Sequence, residues 1–236
     1  MKALIKALAH RAGLDVMSLA YSRDYIYDRF LPGALKMHGI QTVIDIGANV
    51  GGYGELLRRV GFAGDIHSFE PCSQPFGELA RKAAGDPRWH VYQKAASDRS
   101  GTAQIHTMVG SELNSFLSPR ESSRKMTETG TEDVETVTLD GLDLPIDWSR
   151  TFVKVDTQGH DVKVMSGGRN VLRQAALIQS EVSFLPIYQG MPAFDEAIAS
   201  LKELGFDVIG MFPVSRDSLG RVQEFDCLCV NRNLPR

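Results

Sequence analysis

The segment Val43-Ile44-Asp45-Ile46-Gly47-Ala48-Asn49-Val50-Gly51-Gly52-Tyr53-Gly54 constrains this chain more than any other. Thr42 to Gly47 is an apolar run of the kind buried in a parallel strand, and it ends on glycine. Tyr53, Leu56, Leu57 and Val60 then recur at helical spacing up to Gly61. A strand that turns tightly into a helix presents backbone N–H groups at the helix N-terminus, and these favour an acidic ligand group. Gly47 can take backbone angles closed to other residues, and Gly51 and Gly52 leave room for a ligand against the main chain. Asn49 stands where the Gly-x-Gly-x-x-Gly fingerprint has its second glycine, so the turn lacks the form that lets a pyrophosphate approach closely. The polar Asp45, just before the turn, either orders it or receives an ammonium group.

The rest of the chain repeats the alternation of strand and helix, which is the signature of a parallel sheet with crossover helices. Asp65 to Glu70 is a second strand, and a carboxylate at its end can accept both hydroxyls of a ribose. Phe76, Leu79, Ala80 and Ala83 line the next helix. Strand-like runs follow at Trp89 to Lys94, Ala103 to Thr107, Val134 to Leu139, Phe152 to Asp156 and Ala176 to Val182. Helices are expected from about Gly159 to Leu172 and from Pro192 to Gly205. Phe206 to Met211 and Phe225 to Val230 are too closely spaced for a crossover and predict an antiparallel hairpin. The fold class is therefore α/β, mostly parallel, with an antiparallel C-terminal hairpin. Residues 1–40 read as a helical N-terminal cap making apolar contacts through Tyr21, Tyr25 and Phe30, and residues 41–236 as the main domain. Gly110 to Asp133 has almost no apolar periodicity and reads as a lid or a disordered loop.

Composition removes several function classes. The 236 residues are 43% hydrophobic, enough for a sizeable core, and the formal net charge is -3. Without a basic excess, general nucleic-acid binding is not expected. No apolar run approaches the ~20 residues of a membrane span. The stretch Met1 to Arg11 reads as an amphipathic helix rather than a cleaved signal, because Lys6 interrupts its apolar run. Three cysteines make no disulfide framework, and Cys227-x-Cys229 lacks two further metal ligands nearby. The cytoplasm is the expected compartment.

Asp45-Ile46-Gly47-Ala48-Asn49-Val50-Gly51 resembles the cofactor loop of class I methyltransferases that use S-adenosylmethionine. More narrowly, the chain resembles the FkbM methyltransferase family. The likeness runs through Ser68-Phe69-Glu70-Pro71, Ala95-Ala96-Ser97-Asp98, Val153 to Asp161, Gln179 to Phe184, Pro186-Ile187-Tyr188 and Gly205-Phe206. The resemblance implies a Rossmann-like fold and S-adenosylmethionine as cofactor. Asp45, Gly47, Asn49 and Gly51 would hold its methionine part, Glu70 its ribose, and Ala96, Ser97 and Asp98 would border the adenine. Asp156, at the carboxyl edge of the central strand, would join the cofactor site. The acceptor implied is a hydroxyl of a sugar, glycan or natural product.

Methyl transfer from a sulfonium to an alcohol needs alignment and a base. Asp156, His160 and Glu181 are the candidates, with Ser115 and Gln158 as substrate contacts. The competing role for His160 is a surface histidine at a helix start, for Glu181 a partner to an arginine of the cap, and for Ser115 a loop anchor. Asp156 and Glu181 also have the hard oxygens a divalent cation needs, yet Thr157 and Gln158 follow Asp156 in place of a dense Asp/Asn cluster, so no metal residue is assigned. A nucleotide-dependent oxidoreductase and a non-catalytic binding module on the same sheet are the rival functions. Asn49 argues against the first and the intact Asp45, Gly47, Glu70, Asp156 and Glu181 against the second. The partners expected are a small-molecule or carbohydrate acceptor and a further copy of the chain in a homo-oligomer.

Overall fold

The computed structural model describes residues 25–120 and 126–234. The stretch Met1 to Arg11 and Tyr21 lie outside the described residues. α1 (Tyr25–Met37) leads into β1 (Thr42–Ile46), α2 (Gly52–Arg59), β2 (Asp65–Phe69), α3 (Ser73–Ala83), β3 (Trp89–Tyr92), β4 (Ala95–Ala96) and β5 (Gly101–Met108). β6 (Glu128–Val137), β7 (Thr151–Val155), α4 (Asp161–Ser166), α5 (Arg169–Leu172), β8 (Leu177–Ser183), α6 (Phe194–Leu204), β9 (Phe206–Arg216) and β10 (Val222–Asn231) complete the order.

The main sheet has seven strands in the order β3-β2-β1-β7-β8-β10-β9. β1 lies between β2 and β7, parallel to both, and β7 is parallel to β8. β10 enters antiparallel to both β8 and β9, which is the hairpin the sequence predicts. Side chains alternate across each strand. Ile44, Ile46, Val153 and Val155 face a core shared with Val164, Met165, Leu172 and Leu201 of α4, α5 and α6. Val43, Phe152 and Leu177 face the opposite layer, which contains Leu31, Leu57 and Leu79 of α1, α2 and α3. The buried contacts of α1 are Tyr27, Leu31, Ala34 and Leu35, while Phe30 sits at the rim with its ring 5.5 Å from that of Phe212.

Three expectations need correction. β4, β5 and β6 form a separate three-stranded sheet and do not join the main one. β6 begins at Glu128, inside the span read as featureless, because its residues pair with β5 rather than alternate over a core. The described part of that span before residue 121 is docked: the Ser115 and His106 backbones bond reciprocally, and Arg120 N–H donates to the Ile187 carbonyl. Finally, the helix after β7 is two short pieces broken at Gly167-Gly168. A Cβ on Gly167 would stand 2.0 Å from the Ser97 carbonyl oxygen, so the chain must be bare where these segments cross.

Candidate active site

The carboxyl ends of β1, β2, β7 and β8 open on one side of the sheet, where open α/β sheets bind their ligands. Gly47 follows β1 with φ 76°, and a Cβ there would lie 1.8 Å from the Asp156 carbonyl oxygen. The turn therefore rests directly on the end of β7. Asn49 is also left-handed, at φ 47°. Its backbone N–H donates to Glu70 Oε2 at 2.9 Å, and its side-chain Oδ1 accepts from Ser111 Oγ at 2.8 Å. Gly51 and Gly54 are closely packed: a Cβ on Gly51 would stand 2.9 Å from Leu79 Cδ1, and one on Gly54 2.0 Å from the Trp89 ring.

Glu70 Oε1 accepts from the Cys72 N–H at 2.9 Å, so two backbone donors fix the direction of this buried carboxylate. Each oxygen keeps a further lone pair. Burial pushes the Glu70 carboxyl up to about 7, with the Cys72 and Asn49 N–H groups only partly offsetting it. Glu70 borders a cleft together with Gly47, Asn49, Ala96, Asn114, Phe116, Asp156 and Gln158.

Beside this cleft a polar network crosses otherwise apolar strands. Trp89 Nε1 donates to Ser68 Oγ at 3.0 Å, which donates to Asp45 Oδ2 at 3.2 Å. Asp45 is 0% exposed, and its Oδ1 lies 3.4 Å from Lys154 Nζ. Lys154 Nζ lies 3.2 Å from Asp156 Oδ2. Burial alone would push the Lys154 ammonium down, but Asp156, Asp45 and Asp226 outweigh it and hold it charged. Thus the ammonium facing Asp45 belongs to the protein itself. Sequence reasoning missed Lys154, although a lysine within Phe152-Val153-Lys154-Val155 was the signal: a buried charge is costly unless paired.

Gln158 joins the remaining groups. Its φ is 50°, a conformation rare for a residue with a side chain. Gln158 Nε2 donates to Glu181 Oε2 at 3.2 Å and approaches Asp156 Oδ1 at 3.4 Å. Its Oε1 accepts from Tyr188 Oη at 3.0 Å, and its backbone carbonyl accepts from Ser115 Oγ at 2.7 Å. Burial raises the Glu181 carboxyl well above its ordinary value, with Asp156 adding to it. Asp156, by contrast, is about a third exposed.

Three predicted residues point elsewhere. Ser97 Oγ bonds His160 Nε2 at 2.9 Å and donates to Asp98 Oδ1 at 3.2 Å. His160 packs on Phe116, with ring centroids 4.6 Å apart, and burial pushes its imidazole down to about 4. Ser115 is buried and tied to Gln158 and Leu117, which anchors the lid segment. Among the described residues no cluster of His, Cys, Asp or Glu has the arrangement of a metal site, and no helix is long and apolar enough to cross a membrane.

The profile of the methyltransferase FkbM domain matches residues 45–208, from the end of β1 into the start of β9. The chain belongs to the FkbM methyltransferase family. Its methyl donor is S-adenosylmethionine. This removes the oxidoreductase alternative. The 2-O-methyltransferase NoeI of Sinorhizobium fredii (strain NBRC 101917 / NGR234) is 24% identical over 189 residues, 73% of this chain and 74% of that protein. A candidate S-adenosylmethionine-dependent methyltransferase from Listeria monocytogenes shares the fold at TM-score 0.50 and 11% identity, covering 85% of this chain and 97% of that one. Magnesium protoporphyrin IX methyltransferase from Synechocystis PCC 6803 superposes at TM-score 0.49 with 13% identity, over 92% of this chain and 86% of that one. The residues of the FkbM chain fit the donor. A buried carboxylate with unused lone pairs, Glu70, faces the cleft at the sheet edge, and an acidic edge suits a molecule bearing a sulfonium and an ammonium group.

Proposed function

We propose that this FkbM methyltransferase methylates a hydroxyl oxygen, on a sugar or a hydroxylated natural product. The observation that carries the reading is Asp156, a partly exposed carboxylate at the sheet edge with Lys154 against one oxygen and Gln158 close to the other. An alcohol is too weak an acid to attack without giving up its proton, so such a base suits an oxygen acceptor. The distant 2-O-methyltransferase relative supports the same chemistry.

When bound, S-adenosylmethionine supplies a methyl carbon whose bond to sulfur breaks as the new carbon–oxygen bond forms, the bonding pair returning to sulfur. The protein's part is alignment and proton removal. Glu70 accepts the ribose hydroxyls, Gly47 and Asn49 carry the amino-acid end, and Ala96 borders the adenine. Asp156 accepts the proton of the acceptor hydroxyl. Glu181, its carboxyl raised by burial, accepts from Gln158 Nε2 and so positions that side chain beside Asp156. His160 is a strut between Ser97 and Phe116, since an imidazole pushed down to about 4 is a poor base.

Calorimetry with S-adenosylhomocysteine tests the cofactor part, with NAD as the control. Binding heat is expected for the first alone, and none at roughly 1 mM would refute the site. Glu70→Gln is expected to weaken that binding about 30- to 100-fold, or 2–3 kcal/mol, because the amide NH2 meets a backbone N–H or a ribose hydroxyl as donor against donor. A change under threefold would remove Glu70 from the site.

The same titration has a pH signature. The free Glu70 carboxyl titrates at about 7, and ribose donors stabilise its ionised form, so binding lowers it and releases a proton below neutrality. Affinity should therefore fall as pH drops from 7, by at most tenfold per unit, and hold steady above 8. Affinity independent of pH between 5.5 and 8 would contradict an ionised Glu70 at the ribose.

A further inference from the structure

A second cleft opens between α1, α2 and β9. It has Gly47, Asn49 and Asp156 in common with the cofactor cleft, so the two spaces meet at the proposed base. We infer that this second cleft is the acceptor site, and that it takes a neutral polyhydroxylated ring, a sugar, stacked on Phe212 with its hydroxyl edge on Asp226. The inference rests on the hydroxyl-methylation reading above and adds to it the place and class of the acceptor.

The floor of the cleft is a directed chain of hydrogen bonds. Tyr27 Oη donates to Gln179 Oε1 at 2.6 Å, so its oxygen accepts the proton of Tyr53 Oη at 2.5 Å. With its carbonyl end committed to Tyr27, Gln179 turns its amide NH2 to Asp226. The chain ends on a carboxyl group that borders the open space and has lone pairs to spare. Burial, with Asp156 nearby, pushes the Asp226 carboxyl up to about 7, as expected of a group short of donors. The wall is apolar: the Phe212 ring packs edge-on against Tyr27 at 5.1 Å, and Val214, 44% exposed, extends it outward.

The charges select among ligands. Asp28, Asp156 and Asp226 border the cleft against two cations, Arg59 and Lys154. Arg59 already faces Asp28 at 3.5 Å, and Lys154 already faces Asp45 and Asp156. Among the described residues lining the cleft, no cation is left over for a phosphate or carboxylate on the acceptor. A flat aromatic acceptor with a single hydroxyl would match the wall, but with that hydroxyl at Asp156 it would cover Asp226 without giving it a donor. A pyranose has both faces the cleft presents, a patch of C–H bonds and a rim of hydroxyl donors.

Saturation-transfer difference NMR on protein loaded with S-adenosylhomocysteine tests the assignment. The probes are methyl glycosides of the common hexoses, deoxyhexoses and N-acetylamino sugars, with catechol and indole as aromatic controls. At least one glycoside is expected to show saturation at its ring C–H protons, reduced at least fivefold by Phe212→Ala and by Asp226→Asn. S-Adenosylhomocysteine affinity in both variants should stay within twofold of the parent, which also reports that they fold. A glycoside signal that survives both substitutions would overturn the location. No glycoside signal, with or without a signal from catechol or indole, would overturn the sugar class. Failure of S-adenosylhomocysteine to bind the parent protein would instead refute the cofactor site on which the inference rests.

Discussion

Asp156→Asn is expected to lower kcat by about 10²–10⁴-fold while changing S-adenosylhomocysteine affinity less than tenfold. The amide keeps the shape of the carboxylate and can still accept from Lys154 Nζ, now 3.2 Å away, but it cannot take a proton from the acceptor. The loss therefore belongs to the transfer step and should appear in single-turnover rates with radiolabelled methyl donor. A kcat within threefold of the parent would mean that the proton leaves by another route. Full activity in this variant and in Glu181→Gln would remove both carboxyls from the mechanism. No turnover by the parent with any hydroxylated acceptor would favour the non-catalytic binding module.

The second large effect concerns stability. Lys154→Met should destabilise the fold by about 3–5 kcal/mol at neutral pH, because it strands Asp45 without its counter-charge. Asp45 is 0% exposed and would keep only the Ser68 hydroxyl as a donor to its side chain. Adding Asp45→Asn to the methionine variant removes the stranded charge, so the pair should recover most of the loss. Urea denaturation of the two single variants and the double variant measures this. Equal destabilisation by Lys154→Met in the parent and in the Asp45→Asn background would show that the two groups are not coupled.

Much of this architecture was legible because its signals are local. The glycine turn, the alternation of strand and helix and the short gap before the last strand each follow from neighbouring residues, and the seven-stranded sheet contains them all. The small sheet was legible only in part. Ala103 to Thr107 and Val134 to Leu139 read as strands, but the first half of β6 did not, because Thr129 and Glu132 are polar residues that pair with β5 with little core beneath, and nothing local marks the pairing of these strands into a sheet of their own. Helix α4 ends early for a reason outside its own segment, the approach of the Ser97 backbone to Gly167.

The site divides in the same way. Glu70 and Asp156 were readable as carboxylates closing buried strands. Their partners were not. Gln179 and Asp226 lie 47 residues apart and meet only because β10 pairs antiparallel with β8. Trp89 reaches Asp45 through Ser68, three elements that share no sequence proximity. A sharper reading of charge inside apolar runs would have singled out Lys154 in β7 and Asp226 in β10, since both interrupt strands whose neighbours are buried.

The measurement that bears most directly on the account is a crystal structure of the protein with S-adenosylhomocysteine. Both ribose hydroxyls should lie about 2.5–3.0 Å from the Glu70 carboxylate oxygens, with the sulfur turned toward Asp156 where the two clefts join. A nucleoside bound away from Glu70, or a sulfur directed away from Asp156, would contradict it.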